Sequence, residues 1–145
     1  MAAEPIESFA DGVVLGWRGS LADREMVDLV SSHGGTPVPG WWDQIRPRSL
    51  GWVTARIGDG AVVGFVNVVC DGGDHAFLID TKTRVTHQRR RVGTRVVTFA
   101  AKHAKAAGCE WLHVDFDPDL RSFYFDACGF QPTDAGLIHL ASLDV

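Results

Sequence analysis

The chain has 145 residues, of which 46% are hydrophobic and 22% charged, and a formal net charge of -4. That length and apolar share predict a single domain over residues 1–145 with one sizeable core. Net acidity excludes a surface tuned as a whole to nucleic acid or anionic lipid, so any anion site must be local.

Val13, Val14, Leu15 and Trp17 form a short apolar run closed by Gly19 and Ser20, which suits a first strand. Ser20 is placed to cap a helix over Leu21 to Ser32, where Leu21, Met26, Leu29 and Val30 make an apolar stripe and Gly34-Gly35 ends it. Thr36 to Arg48 holds three prolines, Gly40 and the pair Trp41-Trp42, and reads as a loop. Its two indoles either wall a substrate pocket or seal the edge of the core, since aromatic rings serve both ends.

Gly51 to Ile57 and Ala61 to Cys70 read as antiparallel strands joined by Gly58-Asp59-Gly60, residue types that accept positive φ in a hairpin. Asp71-Gly72-Gly73-Asp74 turns the chain into a third strand, Ala76 to Thr83. The period then changes: Val96, Val97, Ala100, Ala101 and Ala104 recur at helical spacing between Gly93 and Ala107, and Gly108 supplies the stop. Trp111 to Phe116 returns to strand, and Asp117 or Asp119 caps a short helix around Leu120 to Cys128. Gly129 ends that helix, and Leu137 to Leu143 offers a last strand. The order strand, helix, three strands, helix, strand, helix, strand predicts an α/β sandwich around one mixed sheet.

The three cysteines, Cys70, Cys109 and Cys128, show no C-x-x-C pair and no metal-type His/Cys spacing, and read as buried reduced thiols with no metal. Met1 to Ala10 has no basic segment followed by an apolar one, and no run of about 18 apolar residues occurs. A cytoplasmic protein without membrane contact is expected.

One segment carries a clear chemical signal. His87-Gln88-Arg89-Arg90-Arg91-Val92-Gly93-Thr94 is a basic turn between strand and helix. The free amides and dipole of a helix start favour an anion, arginines add charge-assisted bonds, and glycine admits close approach, so a pyrophosphate is the natural guest. The segment resembles the pyrophosphate loop of the GNAT acyltransferase superfamily, Q/R-x-x-G-x-G/A. Gln88 matches the first position and Gly93 the last glycine, while Arg91 replaces the first glycine and puts there a side chain that can itself meet the phosphates. About 30 residues on, Phe123, Tyr124, Gly129 and Phe130 match the family's A-x-x-[LF]-Y-x-x-x-G-F, with Leu120 in place of the usual alanine. The resemblance spans roughly Trp52 to Leu140.

It implies a three-layer α/β (α+β) sandwich with a mixed sheet of six to seven strands and helices on both faces. It also implies an acyl-CoA-dependent N-acyltransferase that moves acetyl from acetyl-CoA to a primary amine by direct attack in a ternary complex. The acceptor is then a small-molecule amine or a protein amino group, and copies can pair as dimers. In the family the fourth and fifth strands splay apart, so the acyl-pantetheine inserts between them along the fourth, here Ala76 to Thr83, and meets main-chain amides at Lys82 and Thr83. Gln88, Arg89, Arg90, Arg91, Val92, Gly93 and Thr94 then hold the pyrophosphate.

Tyr124, the single tyrosine, falls where the family places its general acid, and Asp80 where an acidic residue of I-x-D-L-x-V stands. His113, Asp115 and Asp117 alternate along one strand face, where they can relay a proton or attract a cationic substrate. A catalytically silent acyl-CoA-binding module is the alternative. A nucleic-acid partner is not expected, because the basic residues sit on an acidic chain without an RRM, KH or helix-turn-helix pattern.

Overall fold

The computed structural model of the protein describes residues 5–57 and 60–144. The chain divides into two compact units, Met1–Val114 and Asp115–Val145.

The first unit holds a six-stranded sheet in sequence order, β1 (Ile6–Ser8), β2 (Val13–Trp17), β3 (Gly51–Ile57), β4 (Val62–Cys70), β5 (His75–Thr83) and β6 (Trp111–His113). The first five run antiparallel and β6 lies parallel to β5. A parallel pair needs a crossover, and α3 (Val92–Ala106) supplies it. The mixed α/β sheet expected from the sequence is therefore present, with β1 added. That edge strand was missed because three residues, only the middle one half-buried, leave no periodic signal.

Strand parity sets the layers. Leu15, Ala55 and Gly64 pair across β2, β3 and β4, and this face of the sheet meets α3. A Cβ at Gly64 would lie 2.9 Å from Val92 Cγ1 and 3.2 Å from Val96 Cγ2, so only glycine lets the start of α3 sit this close to the sheet. On the other face Phe65 meets α1 (Asp23–Ser32) and α2 (Trp41–Ile45) in a core with Leu21, Met26, Leu29 and Trp42. The three layers expected of the fold follow: α1 and α2, sheet, α3.

Three boundaries move for identifiable reasons. Helix α1 starts at Asp23, capped at Ala22 rather than Ser20, because the Glu25 carboxylate reaches back 2.9 Å to accept the Ala22 N–H. Trp41–Ile45 is a short helix where a loop was expected, set off by Gly40 at φ 84° and followed by a 3-10 turn over Arg46–Arg48. The β6 ladder ends at His113, so the strand expected to Phe116 is shorter. The proposed hairpin residues Gly58 and Asp59 lie outside the described residues; Gly60 N–H bonds to Ile57 O at 2.9 Å. At the next turn Asp71 Oδ1 accepts the amides of Gly73 (2.7 Å) and His75 (3.2 Å), as a turn built on aspartate requires.

Within the second unit a 3-10 turn at Pro118–Leu120 leads into a π-helical segment, Ser122–Ala127, closed by Gly129 at φ 81°. The expected strand over Leu137 to Leu143 does not form; Leu140–Ser142 is a 3-10 turn, and Leu137, Ile138 and Leu140 are exposed. An apolar run without a ladder partner has nothing to hold it extended. No helix among the described residues is long and apolar enough to cross a membrane.

Candidate active site

Strand β5 organises the site through one irregularity. Ile79 pairs with Asn67 and Lys82 with Phe65, so Asp80 and Thr81 together oppose Val66. Asp80 absorbs the extra residue at φ 61°, a left-handed conformation that aspartate tolerates better than most. The bulge resets the alternation, and Asp80 and Lys82 both line one cavity of about 210 Å³ on the α1/α2 face.

The cavity's other walls are mostly apolar: Met26, Val27 and Val30 from α1, Thr36, Pro37 and Val38 from the connecting segment, and Trp41 from α2. The two neighbouring indoles divide the alternatives between them. Trp41 lines the cavity, whereas Trp42 is fully buried, edge-on to Trp52 and Phe65 with ring centroids 5.1 Å away. Lys82 Nζ lies 5.6 Å above the Trp41 ring and 3.9 Å from Asp80 Oδ1. Burial lowers the Lys82 pKa, and the Asp80 charge only partly opposes it.

The basic loop begins where β5 ends. A 3-10 turn over Val85–His87 leads to Gln88, whose Nε2 donates to Thr83 O at 3.3 Å. Arg89 (φ 64°) and Arg91 (φ 62°) are left-handed, and Arg91 caps α3. Arg91 thus takes the backbone conformation for which the family pattern supplies glycine.

The surrounding arginines sort by partner. Arg84 donates to Asp28 Oδ2 (2.6 Å) and Val62 O, and Arg95 to Asp11 Oδ2 (2.8 Å), so both are structural. Arg89, Arg90 and Arg91 are exposed and form no ion pair among the described residues. Val92 is buried, while Gly93 and Thr94 are half-buried in the first turn, whose amides have no acceptor within the helix. Left-handed backbone, unpaired guanidinium groups and a helix start fit an anionic nucleotide.

Arg91→Gly separates the two roles of this position. Relief of the left-handed backbone is expected to raise stability by about 0.5–1 kcal/mol, while loss of the guanidinium weakens acetyl-CoA binding several-fold. Denaturant melts and calorimetric titration of one preparation check both; a destabilised variant would contradict the backbone argument.

The remaining candidates lie elsewhere. His113 sits at the opposite end of β5 from Lys82, with Nε2 2.8 Å from His75 Nδ1 and its ring stacked on Phe77 at 4.7 Å. His75 is its partner at the surface. Asp115, Asp117 and Tyr124 belong to the second unit. There Tyr124 is buried, stacked on Phe116 at 4.5 Å with Phe123 and Phe130 edge-on. Cys70 and Cys109, unremarkable in sequence, bring their Sγ atoms within 3.7 Å. No group of three or more His, Cys, Asp or Glu able to hold a metal occurs among the described residues.

Comparison with known proteins places this geometry. The acetyltransferase (GNAT) family model matches residues 20–130. No curated protein matches. Among solved structures, a GNAT-family acetyltransferase from Streptococcus pneumoniae is similar at TM-score 0.72 and 19% identity, over 87% of this chain and 96% of that one. An acetyltransferase from Trypanosoma brucei gives 0.70 and 16%, over 90% and 99%. Glucosamine-6-phosphate N-acetyltransferase from Arabidopsis thaliana gives 0.68 and 16%, over 86% and 96%. At such identities the likeness is one of fold.

Proposed function

We propose, from the premise that this chain belongs to the GNAT acetyltransferase family, that it is an acetyl-CoA-dependent N-acetyltransferase acting on a primary amine, with its 145 residues working as one catalytic domain. The observation that carries this reading is the end of β5: the cavity holding Asp80 and the basic loop from Gln88 to Thr94 adjoin the same end of one strand. The family model also runs through both compact units.

When bound, acetyl-CoA supplies an activated thioester. Gln88 to Thr94 would hold its pyrophosphate, and the main chain at Lys82 and Thr83 would align the rest along the part of β5 that β6 leaves unpaired beyond Phe77. Asp80 takes a proton from the acceptor's ammonium group, so that the nitrogen lone pair is free to attack. The apolar walls of α1 and Trp41 keep water from competing. Tyr124 supplies the proton for the departing sulfur; its support is its match to the family motif. His113 is engaged with His75 and Phe77, which favours Asp80 as the proton acceptor.

The test is calorimetric titration with acetyl-CoA, followed by a free-thiol assay against a panel of amines. Binding with thiol release supports the enzyme, and binding without release supports the silent acyl-CoA-binding module. Absence of binding removes both. Tyr124→Phe is expected to cut turnover about a hundredfold at nearly unchanged donor affinity, as loss of a general acid does. Wild-type turnover in that variant, with chemistry rate-limiting, would remove the acid role.

A further inference from the structure

The acceptor is the part of that reading still unnamed, and the cavity carries an inference about it that rests on the reading above. We propose that the cavity selects a small zwitterionic acceptor, an α-amino acid with an apolar side chain, its amine directed to Asp80 and its carboxylate to Lys82.

The argument starts from Lys82. Its side chain is 20% exposed, yet its nearest acceptors are Asp80 O at 3.5 Å and Asp80 Oδ1 at 3.9 Å. A charge-assisted bond closes to about 2.7–2.9 Å, so this ammonium, with three hydrogens to donate, lacks a close partner while facing the cavity. Burial lowers its pKa, and the Asp80 charge only partly opposes the shift. An entering carboxylate satisfies it.

Asp80 presents the complementary need. A plain amine would share Asp80 with a cation already 3.9 Å away and be repelled by it. A polyamine or an aminoglycoside would bring further positive charge to a wall on which Lys82 already places a cation. An α-amino acid places an ammonium and a carboxylate on one carbon, so each wall charge meets its opposite and the loose internal pair is exchanged for two external ones. Apart from the Thr36 hydroxyl, the remaining surface, from Met26, Val27, Val30, Val38 and Trp41, is apolar and favours a branched or aromatic side chain. Size agrees: about 210 Å³ falls below the ~300–1,000 Å³ of drug-sized ligand pockets, which suits a compact guest.

The decisive measurement is calorimetric titration of the full chain, with and without saturating CoA, using leucine and phenylalanine against isoamylamine and phenethylamine, their counterparts without the carboxylate. Each amino acid is expected to bind at least about tenfold more tightly than its amine, the scale of one charge-assisted bond. Lys82→Met should abolish that preference, the amino acids losing affinity while the amines hold or gain it, whereas Lys82→Arg, which keeps the charge, should retain most of it. Amines bound as tightly as the amino acids, amino acids not bound in either state, or a preference that survives Lys82→Met would each overturn the proposal. Thiol release from acetyl-CoA in the same samples reports separately on catalysis. Release with plain amines and no preference sinks this proposal alone, while amino-acid binding without release sinks the enzymatic reading and leaves the zwitterion site standing.

Discussion

Replacement of Gly93 by glutamate is expected to weaken acetyl-CoA binding about a hundredfold while leaving the fold intact, or slightly firmer. The two effects separate because they arise at one place from one charge. Gly93 lies in the first turn of α3, where the amides of Val92, Gly93 and Thr94 point out of the helix. A carboxylate there interacts favourably with the helix dipole and replaces the poorest helix former short of proline, so stability gains a few tenths of a kcal/mol or more. The same carboxylate occupies the concavity in which a phosphate would sit and repels it, and about 2.7 kcal/mol of lost anion binding corresponds to the hundredfold. Calorimetric titration paired with thermal melts reads both. Unchanged donor affinity in a well-folded variant would remove the pyrophosphate from this helix start.

The second large effect is on stability and has a definite pH window. Glu25 accepts Arg56 Nη1 at 2.7 Å and Nη2 at 2.9 Å as well as the Ala22 amide, which ties the start of α1 to β3. The bonds from Arg56, chiefly, hold its pKa down from 4.5 to about 2. A depressed carboxylate pKa stabilises the fold fully above the unfolded value and loses that contribution as pH falls through the folded one. Here the window runs from about pH 4.5 down to 2. The shift corresponds to about 3 kcal/mol as an upper figure, and some screening is expected because the pair keeps 21% and 28% of its side-chain surface in water. Glu25→Gln should therefore lose about 2 kcal/mol at pH 7, with the gap to wild type closing as the pH is lowered across that window. Urea denaturation at several pH values measures it. A pH-independent gap would mean that Glu25 contributes by packing or capping alone. Because α1 forms one wall of the cavity, the variant is also expected to loosen the site.

Residues with a strong local signal were legible without coordinates. The meander of β3, β4 and β5, the helix α3 with its Gly108 stop, and the basic loop before it all announce themselves through period, glycine and charge. What stayed hidden depends on register or on distant approach. The five residues of α2 are too few to show a helical period and sit between Gly40 and Pro47. The bulge that turns both Asp80 and Lys82 to one cavity exists only relative to Val66 on β4. The role of Lys82 was therefore expected from its main chain, and its side chain, which faces the cavity beside Trp41, passed unnoticed. In the same way the 3.7 Å approach of Cys70 to Cys109 joins residues 39 positions apart, with no spacing rule to suggest it.

Among the described residues, four non-glycine residues hold left-handed backbone: Arg18, Asp80, Arg89 and Arg91. All four are charged; Asp80 lines the cavity, and Arg89 and Arg91 stand in the basic loop after β5. At each of these three, glycine would relax the chain while deleting the group assigned to the ligand under the proposed function. Directed evolution for heat resistance alone should consequently drift toward glycine at these positions and return robust, inactive proteins. Libraries screened for both properties should instead keep Asp80, Arg89 and Arg91 and collect their stabilising changes on surfaces away from the end of β5. Sequencing the survivors of the two screens would map the site from the outside, with no substrate in hand.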